Sequence, residues 1–230
     1  MARRVLQGQP DIELTLRRSA RARRITLRIS SLDGRVTLTL PKHVAEREAL
    51  DFARQKEPWI RKHLAARTVQ VTVHAGGTLP VEGRMRKLVA ESGRLVRLTD
   101  DALMVPGSPD AMPRRVQAFL KTRARDVLAA ACDDYATRLG RPYSGLSLRD
   151  TRSRWGSCSS VGRLMFSWRL IMAPPEVLRY VAAHEVAHLA QMNHSPAFWG
   201  EVERIHGPYD AERRWLRSEG TALHRYRFGD

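Results

Sequence analysis

The segment Val181-Ala-Ala-His184-Glu185-Val-Ala-His188-Leu-Ala-Gln191 sets two imidazoles and a carboxylate into a run that is otherwise Val, Ala and Leu. Its apolar residues predict a helix packed into the core, where ionisable groups are costly unless something takes them up. At about 100° per residue, positions four apart lie on one helix face a turn apart, so His184 and His188 can meet a single ion. Glu185 lies beside them rather than between them. Its carboxylate can therefore reach a water on that ion, which is the general-base placement of the His-Glu-x-x-His hydrolases. The alternative is a pair of core histidines satisfied by hydrogen bonds alone.

A catalytic zinc site takes three protein ligands and keeps a position open for water, so two imidazoles leave the set incomplete. His194, just past the expected helix end at Asn193, is the nearest further candidate, because the chain can turn back there beneath the ion. His206 competes with it. Glu201 or Glu203 would complete a site of two histidines and one glutamate, and His224 lies far into the tail.

Period-two alternation in Ile12–Leu16, Ile25–Ile29 and Val36–Leu40 predicts strands, with Asp33-Gly34 as a tight hairpin turn between the last two. Helical spacing follows from Val44 to Ala66, interrupted near Pro58. Short alternating pieces return at Val69–Val73, Lys87–Ala90, Leu95–Leu98 and Leu103–Val105. The Pro- and Gly-rich stretch from Val105 to Pro113 marks a boundary, which divides the chain into a strand-rich domain over residues 1–107 and a second domain over 108–230. Beyond it, a long helix is expected over Arg114–Leu139 with Gly140 as its stop. Strands at Gly145–Asp150 and Leu164–Ile171 flank a turn-rich piece, 153–162. Pro174-Pro175 opens the helix that carries the histidines, and helical patterns recur at Ala197–Ile205 and from Ala211 to about Leu223. No internal repeat is evident.

Forty Lys and Arg against 24 Asp and Glu give a net charge of +16. Such an excess attracts polyanions and admits nucleic acid as a partner, although an Arg-rich solvated surface accounts for it equally well. No apolar run is long enough to span a membrane, and the first residues lack the apolar core of a secretory signal, so a cytoplasmic protein is expected. Cys132 and Cys158 make no disulfide framework and are expected as reduced thiols.

Four stretches taken together, Arg152-Ser-Arg-Trp-Gly-Ser-Cys158, Phe166-Ser-Trp-Arg-Leu170, Tyr180–Leu189 and Asn193-His-Ser-Pro-Ala-Phe-Trp199, resemble the YgjP-like family of M48-type zincin metallopeptidases, itself similar to the SprT and WLM proteases. The resemblance is close over residues 112–216 and looser over the first half. It implies an α+β fold in which a strand-rich N-terminal domain precedes a zincin-like metallopeptidase domain. It also implies Zn2+ on His184, His188 and His194, with Glu185 as base and a protein or peptide as substrate. Family members often carry Asn where Ser167 stands, a departure that bears on a hydrogen bond near the cleft and not on the metal.

In zincins a strand edge beside the active helix can hold an extended peptide, and Leu164–Leu170 is the expected strand. Trp155 is read as packing, Gly156 as the residue of unusual backbone angle in a turn, Phe198 and Trp199 as core that fixes the third ligand, and Asn193 as a helix cap. Tyr209, Arg152 and Arg154 are further candidates for steadying an oxyanion. Besides the peptidase, the same residues admit a metal-assisted phosphohydrolase acting on nucleotides, or a basic nucleic-acid-binding module with structural zinc. Against the last, structural zinc sites usually employ four protein ligands, often cysteines. Manganese, cobalt or nickel could also take a site of this donor type in vitro.

Overall fold

A computed structural model describes residues 2–30, 34–65 and 69–229. They fall into two compact units, Met1–Val69 and Gln70–Asp230. In the first, β1 (Ala2–Leu6), β2 (Ile12–Arg18), β3 (Thr26–Ile29) and β4 (Val36–Leu40) form a sheet in the order β1-β2-β4-β3. Alternation turns Ile12, Leu14, Leu16, Val36, Leu38 and Leu40 to one face, where they are buried together with Ala49, Ala53 and Ile60 of α1 (Glu46–Gln55) and α2 (Glu57–Ala65). The helical run breaks at Lys56 and not at Pro58, which sits near the start of α2 where its missing N–H breaks no bond. Strands β3 and β4 pair antiparallel as expected for a hairpin; Gly34 takes a left-handed φ of 71°, and Asp33 lies outside the described residues. Strand β1 is not legible in the sequence, because Arg3, Arg4 and Val5 are all exposed and only Leu6 is buried.

The second unit begins with β5 (Val71–Thr72), β6 (Thr78–Val81), β7 (Arg84–Glu91), β8 (Arg97–Leu98) and β9 (Ala102–Pro106). The last four form a sheet in the order β6-β7-β9-β8, with outer pairs antiparallel and the central pair parallel. The first unit's sheet has the same arrangement of outer and central pairs. The topology is therefore repeated although the sequence shows no repeat.

The boundary expected at 107/108 falls inside this second unit. Leu79, Val81, Leu88, Leu103 and Val105 share one core with α3 (Met112–Leu139), so residues 70–107 belong with the C-terminal half of the chain. Gly107, at φ 99°, turns the chain from β9 towards α3 within a single core.

Helix α3 buries Val116, Leu120, Ala124, Leu128, Ala131, Cys132 and Tyr135, and ends at Gly140 in the left-handed conformation. Next come β10 (Gly145–Arg149), β11 (Gly156–Cys158), β12 (Arg163–Ser167), a 3-10 turn over Trp168–Met172, α4 (Pro175–Ala187), α5 (Pro196–His206), α6 (Asp210–Ser218), a second 3-10 stretch over Gly220–Arg225 and β13 (Tyr226–Arg227). The order β10-β12-β11 makes β12 central, parallel to β10 and antiparallel to β11. Both edges of β12 are taken, so the Leu164–Leu170 segment cannot hold a substrate strand. The sheet's edges are β10 and β11; β11 lies in the stretch read as turns and contacts α4. Among the described residues no helix is long and apolar enough to cross a membrane.

The tail is drawn back into the unit by β13, which pairs parallel with β5, and by Arg169. The buried guanidinium of Arg169 donates to both carboxylate oxygens of Asp150, at 2.7 and 3.1 Å, and to the carbonyls of Leu223 and Tyr226, at 3.1 Å each. Arg169→Met leaves those carbonyls without their donor and should cost about 3 kcal/mol. Thermal unfolding should then show a midpoint lowered by roughly 6–12 °C; an unchanged midpoint would assign the tail's attachment to other contacts.

Candidate metal centre

Helix α4 opens with Pro175 in its first turn and packs against α3, with Val177, Leu178, Val181, Ala182 and Val186 buried in the core the two helices share. That packing aims His184 and His188 at the loop before α5, which carries His194. The ligand-capable atoms of the three histidines lie within 4.8 Å of one another. The Nε2 atoms of His184 and His194 are 3.1 Å apart. Two nitrogens bound to one tetrahedral zinc ion at about 2.05 Å would sit roughly 3.3 Å apart, so the spacing suits a shared ion.

His188 uses its Nδ1–H to donate to the Gln191 carbonyl at 3.0 Å, which leaves Nε2 as the lone-pair nitrogen. Burial, reinforced by the charges of His188 and His194, pushes the pKa of His184 down to about 3. Burial also lowers that of His188. Both rings are thus neutral near pH 7, the state a metal requires. The Nδ1 of His184 is buried with no hydrogen-bond partner among the described residues.

Phe198 forms the floor of the cluster. Fully buried at the start of α5, its ring stacks on His188 at 4.5 Å and meets His184 and His194 edge-on at 4.9 and 4.7 Å. Trp199 stands against His184 and His194, stacks on Tyr209 and carries the Arg213 guanidinium on its ring. Asn193 does not cap α5, whose N-cap is Ser195; its Oδ1 accepts from the Ser195 N–H and closes the preceding turn.

The competing ligands are engaged elsewhere. His206 pairs its Nδ1 with the Tyr135 hydroxyl at 2.9 Å, Glu201 pairs with Arg204, Glu203 is exposed, and His224 stacks on Trp155. Trp155 is packing, as its contacts with His224 and Gly220 require. Ser167 Oγ is buried with no partner among the described residues.

Glu185 is buried against β11. A Cβ on Gly156 would stand 2.5 Å from its Cγ and Oε1, so Gly156 is there for space. It is a strand residue and takes no left-handed turn angle. Burial pushes the Glu185 pKa up to about 8, opposed by the charge of Arg154 and by a hydrogen bond from the Cys158 backbone N–H. The sequence carried a signal for Gly156, since it separates a large Trp from two small residues, but the contact with Glu185 is 29 positions away and no local pattern reports it. Gly156→Ala must displace the carboxylate; the expected result is at least a tenfold fall in hydrolytic rate with metal content unchanged, whereas full activity would mean that Glu185 does not act from this position.

A match to a family model agrees with this geometry. A family model described as "YgjP-like, metallopeptidase domain" matches residues 23–219, spanning most of the chain. Among solved structures, the metallopeptidase zymogen of Pyrococcus abyssi abylysin is similar at 24% identity and a TM-score of 0.35, over 42% of this chain and 92% of that one. A search of curated proteins finds no match. With three convergent imidazoles, an adjacent buried carboxylate and a family match along most of its length, the chain belongs to the YgjP-like family of metallopeptidases.

Proposed function

We propose that the protein hydrolyses peptide bonds in protein or peptide substrates, with His184, His188 and His194 as the ligands of a zinc ion and Glu185 as general base. The observation that carries this reading is the convergence of the three imidazoles beside a carboxylate held on the same helix. A zinc ion held by His184, His188 and His194 would supply polarisation of the scissile carbonyl and a more acidic water. Burial alone holds Glu185 largely protonated near pH 7, and a cation on the three imidazoles would favour its ionised form, which would accept a proton from the attacking water and return it to the departing amine. Its place against Gly156 limits where the carboxyl can turn. Strand β11, outermost in its sheet and next to α4, offers its edge to an extended substrate. Unpaired Cys132 and Cys158 are in keeping with a reducing, cytoplasmic setting.

Casein and nucleoside triphosphates, each incubated with wild type and Glu185→Gln, test the assignment. Wild type should cleave casein, and Glu185→Gln should lower the rate by about a hundredfold or more while keeping its metal. Triphosphate hydrolysis without casein cleavage would instead make the centre a phosphohydrolase.

Nucleic acid is a second partner, favoured by the open face of the first sheet. Arg3, Thr15, Thr37 and Arg28 stand in register across its four strands, with Arg17 beside Thr39 in the next row, and the three arginines are exposed. Cations and hydroxyls in such rows suit a phosphate backbone. Binding of a labelled oligonucleotide should weaken steeply with salt, and Arg3→Gln/Arg17→Gln/Arg28→Gln should reduce the log–log slope by about 2–3. An unchanged slope would remove this face from consideration.

A further inference from the structure

The sheet of β10, β12 and β11 has two faces. Leu164 and Phe166, with Gly156 and Cys158 in register beside them, turn towards the core and α4, as the approach of Gly156 to Glu185 requires. The other face carries Ser147, Met165 and Ser157 in one row across the three strands. It floors a cavity of about 740 Å3 whose lining includes Arg149, Arg154 and Arg163. All three arginines are exposed, and among the described residues none makes an ion pair. The one carboxylate in the lining, Asp150, is already bound through both oxygens by Arg169. Arg149 and Arg163 thus face the groove with no protein anion left to neutralise them, and Arg154 has only the buried Glu185 near it.

This groove is the reverse side of the strand that carries Gly156 and Cys158. An extended chain added to the β11 edge would alternate its side chains between the two faces of the sheet. One set would point towards α4 and the metal-site side, and the other over the arginine-lined groove. Arg154, two residues before β11, belongs to the groove and yet is near enough to Glu185 to act on its carboxyl.

We propose that the groove formed by Arg149, Arg154 and Arg163 is a specificity subsite that selects an acidic side chain, Asp or Glu, of an extended polypeptide lying on β11. The proposal rests on the reading of β11 as the substrate strand. Guanidinium groups bind carboxylates through paired N–H donors, and Ser157 at the floor adds a hydroxyl donor. A peptide with acidic residues at alternate positions would place them all on this face, whereas a neutral peptide leaves the three cations solvated.

Binding tests it without relying on turnover. Full-length Glu185→Gln protein, loaded with zinc, is titrated with two fluorescently labelled decapeptides, alternating Glu-Ala and alternating Gln-Ala, at 150 mM salt. The acidic peptide should bind about tenfold more tightly or better, and Arg149→Gln/Arg163→Gln should abolish the difference. Arg94→Gln/Arg214→Gln removes the same charge from positions outside the groove and should leave the difference intact. Equal affinity for the two peptides, or an equal loss in both double variants, would overturn the proposal, the second by showing bulk attraction to a basic protein. A labelled single-stranded oligonucleotide that depends on Arg149 and Arg163 while the acidic peptide does not would overturn it in favour of a phosphate ligand. Casein cleavage by wild type is scored separately, so failure of the subsite and failure of the peptidase reading are distinguishable.

Discussion

Everything near the centre of this molecule follows from burying His184, Glu185 and His188 in a helix that is otherwise apolar. Ionisable groups in such a helix need partners, and the protein supplies few. His188 has the Gln191 carbonyl, and Glu185 lies against Gly156. His184 and His194 face each other Nε2 to Nε2 at 3.1 Å, a contact that one N–H···N hydrogen bond satisfies without metal and that a shared cation would replace. The surroundings serve the same end. Helix α3 gives α4 a rigid bed, and Phe198 touches all three imidazoles, so the rings have little freedom to drift apart.

The carboxylate is positioned by a different device. Glu185 needs room beside a strand, and Gly156 provides it by having no side chain. Strand β11 then has two faces with different chemistry: towards α4 it is shaped around Glu185, and away from it lies an arginine-lined groove. Arg169 and Asp150 stabilise the sheet's far end and hold the tail, so the groove's own arginines are not spent on internal pairing.

The local features of this arrangement are readable from the residues. Two histidines four apart declare a shared helix face, and His194 comes where a Pro-opened helix forces a turn. The long stripe of α3 and its Gly140 stop are likewise local. Pairing made at a distance is unreadable. Strand β11 is three residues, Gly-Ser-Cys, with no apolar alternation, and exists because β12 binds it. Strand β5 is two residues whose partner, β13, is more than 150 positions away. The placement of residues 70–107 with the metal-bearing unit depends on Leu79, Leu88 and Leu103 meeting α3, which a composition break at 105–113 conceals. Leu164–Leu170 fails as the substrate strand for the same reason: alternation reports a strand but not whether its edges are free.

The measurement closest to the central claim is metal content, by plasma mass spectrometry, of protein purified without a His-tag from zinc-replete medium, as wild type and as His194→Ala. About one zinc per chain in wild type, and little or none in the variant, is the expected result. Metal-free wild type, or a variant that keeps its full complement, would contradict the assignment of these three imidazoles as one metal centre.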